Sequence, residues 1–174
     1  MINYIYYFII AFLLVLATQS ILTSSEFLMN FNFLLVVIVF ITIIFGFNLG
    51  FIWAIFIGLF MSIYSYMPIG SYILIFLLIV FIIDFLYKNV LTNFSLYSSL
   101  ILMIVATLIF NFVLVLLNYL LYFFGLISLY IVLDSSYWQS FIWQLILNIV
   151  IMTIIFLLSK ATIKKLNLAF LIKK

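Results

Sequence analysis

Cysteine, histidine and arginine are all missing from this chain of 174 residues, proline occurs once, and the only charges are three acids and six lysines. Without cysteine there are no disulfides and no thiol chemistry, and the redox compartment is left open. Without histidine or arginine, the usual metal ligand, general base and phosphate fork are gone, which weakens most enzyme readings. The acids Glu26, Asp84 and Asp134 are scattered along the sequence, so no nucleophile, base and orienting group can be assembled. There is no metal-ligand cluster, no phosphate-cradling glycine loop and no basic aromatic surface for nucleic acid. A proton or ion path would place charges in mid-helix, and the predicted spans carry none there. The chain is expected to be non-catalytic, without cofactor or metal.

What is present is apolar. With 72% hydrophobic and 5% charged residues and a mean hydropathy of +1.62, the chain cannot divide into a buried core and a polar surface. It reads as an integral membrane protein. A barrel needs alternation between lipid and lumen, and the runs at 34–45 and 73–83 do not alternate. Helices are expected. At roughly 20 residues per crossing, the length allows about six crossings in a single transmembrane domain and leaves no extramembrane one.

The most organised stretch is GFNLGFIWAIFIGLFMSIYSYMPIG, residues 46–70, with small residues at every fourth place: Gly46, Gly50, Ala54, Gly58 and Ser62. Each step of four drifts by only roughly 40° around a helix, so neighbouring members share a narrow groove. In lipid, where apolar surfaces gain little from leaving hydrocarbon for one another, such grooves let helix backbones approach. Pro68 and Gly70 then stop the helix in a tight turn. The groove can serve helix packing or partner docking, and the sequence leaves both open.

The predicted helices are residues 2–21, 33–45, 51–66, 71–87, 96–124 and 137–159, followed by a basic amphipathic tail at 160–174. Asn30 and Asn32 are suited to cap the second helix, and Asn93 or Ser95 the fifth. The turn between the second and third falls in 46–50, with Asn48 tolerant of a left-handed conformation. Asp84 lies four residues ahead of Lys88, which puts both on one face near a helix end. Thr107, Asn111 and Asn118 make a polar stripe on the fifth helix, and Gln144 and Asn148 continue a similar row on the sixth. Hydrogen bonds between these rows are expected. Residues 126–133 are too short to span and are expected to lie along the membrane surface.

Orientation follows from the lysines. With six helices and a cytoplasmic N-terminus, Lys88, Lys160, Lys164, Lys165, Lys173 and Lys174 all fall inside, with Glu26 and Asp134 outside. Both termini are then cytoplasmic. The tail lysines can attract anionic headgroups at about 1 kcal/mol each, or meet an acidic partner.

The stretch GFIWAIFIGLFMSIYSYMPIG resembles the hallmark of the rod shape-determining protein MreD family, with Gly50, Gly58, Leu59, Pro68 and Gly70 in the expected places. The likeness extends to Asn32-Phe33-Leu34, to Leu91-Thr92-Asn93 with Ser95-Leu96, to Thr107-Leu108, and to the basic tail. Ser62 departs from it, standing where many members carry aspartate, so that carboxylate's role does not carry over. The resemblance implies a non-enzymatic component of the bacterial inner membrane, working in cell elongation with MreC, the MreB filament, and RodA with its transpeptidase. It also implies a fold similar to the S components of energy-coupling factor vitamin transporters, which supplies the alternative function of vitamin binding near the polar rows.

Overall fold

The computed structural model describes residues 13, 32–65, 67–93 and 95–171, with side chains described as far as residue 159. Five helices occupy these residues: α1 (Phe33–Phe45), α2 (Phe47–Ile63), α3 (Ser71–Asn89), α4 (Leu96–Phe123) and α5 (Ser135–Leu171). No strand occurs among them. The predicted helix at 2–21, apart from Leu13, lies outside the described residues, as do Glu26, Asn30, Lys173 and Lys174.

Short α1 is the hub, touching α2, α3, α4 and α5. Its 13 residues are apolar almost all round, and Leu34, Leu35, Val36, Ile38, Val39, Thr42 and Ile43 are buried. A helix without a polar face belongs inside a bundle. Asn32 caps it, its side chain accepting from the Leu35 N–H at 3.1 Å. The side-chain oxygen thereby satisfies one of the donors that a helix start leaves open.

Both ends of α2 and both ends of α5 differ from the sequence expectation. Gly46 alone reverses the chain between α1 and α2, with φ 81°, a conformation that costs glycine little. Asn48 is therefore free to be helical, and α2 begins at Phe47 and not at 51, ending at Ile63 and not at 66. Next, α5 starts at Ser135 because Asp134 Oδ1 accepts from the Tyr137 N–H at 2.9 Å and the Ser136 hydroxyl at 2.7 Å. At its other end α5 passes the expected stop at 159 and runs to Leu171, since neither glycine nor proline follows Ser159 to break it. The other starts agree closely, α3 extending to Asn89 and α4 ending at Phe123.

The hydrogen bond from Tyr137 N–H, ahead of that from Ser136, holds the Asp134 carboxyl below its ordinary range. A lowered pKa adds stability that is present above the ordinary value and is lost as pH falls through the folded one. Acidification should fray the first turn of α5, seen as faster amide exchange at Ser136 and Tyr137. Asp134→Ala should make that exchange fast at every pH.

Six crossings are not supported by the described residues. Three helices are long and apolar enough to cross a membrane: α3, α4 and residues 135–159 of α5. With 13 and 17 residues, α1 and α2 reach only about 20 and 26 Å, against a hydrocarbon core of about 30 Å.

Candidate functional site

The small-residue groove on α2 is filled from within the chain. A Cβ placed on Gly58 would come 2.7 Å from Ile73 Cα and 2.8 Å from Ile73 N on α3. One on Gly50 would press into the Thr42 hydroxyl of α1 and lie 3.2 Å from Val80 of α3. Thus α2 and α3 run antiparallel, Gly58 beside Ile73 and Gly50 beside Val80, with α1 closing the groove at Thr42. Ala54 between them is fully buried, and Ser62 is buried too. Gly46 continues the series only as the turn residue.

Ser62 ties the end of the groove to the turn. Its hydroxyl donates to Gly58 O at 2.8 Å and accepts from the Gly70 N–H at 3.4 Å. Pro68 O accepts from Ser71 N at 3.1 Å, and Gly70 takes φ 103° ahead of α3. A short hydroxyl suffices here, and no carboxylate is needed to close the turn. Thr42 was not among the residues singled out from the sequence. Its place four residues before Gly46, mirroring Gly50 four residues after it, is the signal that could have found it.

The two polar rows meet at two levels between α4 and α5. Asn148 Nδ2 donates to the Thr107 hydroxyl at 3.1 Å, and Thr107 in turn donates to Met103 O at 2.9 Å. One turn along, Asn111 Nδ2 donates to Gln144 Oε1 at 2.7 Å and to Thr107 O at 2.9 Å. Asn118 does not join them. It accepts from the Ile131 N–H at 2.7 Å while neighbouring Tyr119 donates to Ile131 O at 2.9 Å. Asn148 Oδ1 and Asn118 Nδ2 are buried without a partner.

Lys88 Nζ lies 2.6 Å from Asp84 Oδ2. Burial of the pair is uneven: the Lys88 side chain is 61% exposed and that of Asp84 13%. Asp84 was expected near an exposed boundary, yet it faces inward, with Oδ1 buried and unpartnered. Lys160, Lys164 and Lys165 fall on the backbone course of α5 past residue 159.

Among the described residues no group of three or more potential metal ligands occurs. A cavity of about 920 Å³ opens along the C-terminal half of α4, bordered by Phe112, Leu116, Leu120, Phe123, Gly125 and Ile127. It is apolar and open, unlike the closed polar chamber that the vitamin-binding alternative calls for.

No curated protein and no solved structure matches the chain, so neither the S-component type of fold nor the transport alternative gains support. A family model described as rod shape-determining protein MreD matches residues 1–162, a span that includes the whole α2 groove, both polar rows and the Asp84–Lys88 pair. With nearly the full length matched, the chain belongs to the rod shape-determining protein MreD family.

Proposed function

We propose that this protein is a non-catalytic scaffold of the bacterial cell-elongation machinery, crossing the inner membrane several times. The family match over residues 1–162 is the observation that carries this reading. The packing agrees with it: α1, α2 and α3 lock together through backbone-close contacts at Gly50 and Gly58. Such a rigid body suits a part that holds others in place. On this reading the groove packs helices, and partners meet the exposed faces.

In the proposed arrangement α4 and α5 cross as a hairpin, so that Lys88 before it and the lysines after residue 159 lie on the same, cytoplasmic side. MreC, MreB, and RodA with its transpeptidase are the proposed partners. The tail lysines Lys160, Lys164, Lys165, Lys173 and Lys174 are proposed to face anionic lipid or the filament. Depleting the protein in its own cells should round them or disturb their width within a few generations. Rods of normal width with normal wall incorporation after depletion would overturn the proposal.

A further inference from the structure

We propose that α5 has a second register against α4, displaced by four residues toward the loop at 124–134, and that the chain slides between the two registers as a conformational device built into the fold. The proposal goes beyond the scaffold reading and does not depend on it.

The register described leaves two amide atoms unmatched in one interface. Asn148 on α5 is fully buried; its Nδ2 donates to the Thr107 hydroxyl, and its Oδ1 has no partner. Asn118 on α4 is fully buried as well; its Oδ1 accepts from the Ile131 N–H, and its Nδ2 has no partner. One orphan is an acceptor and the other a donor. An unpaired buried polar atom costs its full desolvation, and hydrocarbon offers no replacement partner. The stripe of α4 that meets α5 holds both levels, since Asn118 falls within about 20° of Asn111 around the helix.

A shift of α5 by four residues, about 6 Å at 1.5 Å per residue, brings Asn148 to the level that Gln144 holds now, opposite Asn111. The Asn111 Nδ2 that donates to Gln144 Oε1 in the present register then meets Asn148 Oδ1, and Asn148 Nδ2 can return a bond to Asn111 Oδ1. Gln144 advances to the level of Val115, next to Asn118. Each Cα–Cβ bond tilts toward the N-terminus of its own helix. In this antiparallel pair Gln144 and Asn118 therefore lean toward each other, and Gln144 Oε1 can accept from Asn118 Nδ2. Thr107 loses a donor, but its own hydroxyl stays bonded to Met103 O. Both orphans gain partners. Positions between the two registers gain neither set of bonds, which makes the registers discrete.

The packing permits the step. On α5, Gln144, Asn148, Met152 and Phe156 stand in one row at steps of four, the last three buried. A slide of four residues moves each into the place of the one before it, so the same ridge stays in the same groove. Of the three long helices, α5 is also the least buried. Because α5 continues unbroken to Leu171, residues 160–171 are drawn toward the bundle by the same step. The slide thus links amides inside the bundle to the position of the lysine-bearing tail.

The chain has no cysteine, so introduced pairs report the register in the full-length protein in phospholipid vesicles. Ile104 and Ile151 are level in the register described, and Ile104 and Ile155 become level only after the slide. Disulfides need Cα atoms within about 7 Å, and an axial offset of about 6 Å takes facing positions beyond that. Under mild oxidation both Ile104→Cys/Ile151→Cys and Ile104→Cys/Ile155→Cys should form a bond within one chain. Asn148→Leu removes the amide that the second register needs; it should lower the yield of the second pair at least tenfold and leave the first within twofold. With the interface itself unmodified, spin labels placed at the exposed Phe123 and Leu157, near opposite ends of α4 and α5, should give two distance populations about 6 Å apart. A single population, no bond between positions 104 and 155, or a yield of that bond that survives Asn148→Leu would overturn the inference and leave the scaffold reading standing.

Discussion

Gly58→Ala is expected to lower the stability of the purified protein by about 1–3 kcal/mol, the range for forcing extra methyl groups into a packed interior. Gly58→Leu should abolish accumulation of folded protein altogether. The reason is what the new atom would meet: Ile73 Cα at 2.7 Å and Ile73 N at 2.8 Å. Those are backbone atoms of α3, and no rotamer change can move them aside. Either α3 shifts as a unit, or α2 rotates and breaks the Thr42 contact at Gly50 as well. Leu78→Ile is the matched control, since Leu78 is an exposed apolar residue of the same α3. The measurement is the thermal midpoint in detergent, together with the yield of monodisperse protein. A Gly58→Leu protein as abundant and as stable as Leu78→Ile would mean that the backbones do not approach as closely as described.

The features that the sequence announced are those with a period. Small residues four apart mark the face where α2 meets α3, because helical geometry alone decides which residues share a groove. The polar rows were legible for the same reason. Thr107 pairs with Asn148 and Asn111 with Gln144, a constant antiparallel register in which each step forward on α4 is a step back on α5. That register also explains the miss at Asn118. Opposite it α5 offers Tyr137, which has no side-chain amide, so Asn118 turns to the Ile131 backbone instead. Helix ends were less legible wherever tertiary contacts set them. Asn48 looks like a turn residue, but Gly46 already makes the reversal and leaves Asn48 nothing to do but continue the helix. The number of crossings was read from total apolar length. What total length conceals is that α1 gains its stability at the centre of the bundle, where 13 residues suffice.

The burial of Asp84 was the least legible feature, and it carries the other large expected effect. In sequence, Asp84 and Lys88 look like an exposed pair at a helix end, worth a few tenths of a kcal/mol. In the fold, the carboxylate is directed inward, and Lys88 is its one partner among the described residues. The two halves of the pair are therefore not equivalent. Lys88→Met should leave a buried carboxylate with neither oxygen paired, at a cost of roughly 1–3 kcal/mol or more for a charged group. Exchanging both residues for apolar ones removes the charge together with its need for a partner, and such replacements of buried pairs are often neutral or stabilising. The double variant Asp84→Leu/Lys88→Met should therefore be more stable than Lys88→Met alone, the reverse of what two independent losses would give. Thermal midpoints of the three variants and the unmodified chain complete the cycle. If the double variant falls by the sum of its singles, Asp84 is solvated well enough to stand without Lys88, and the pair is no more than a surface contact.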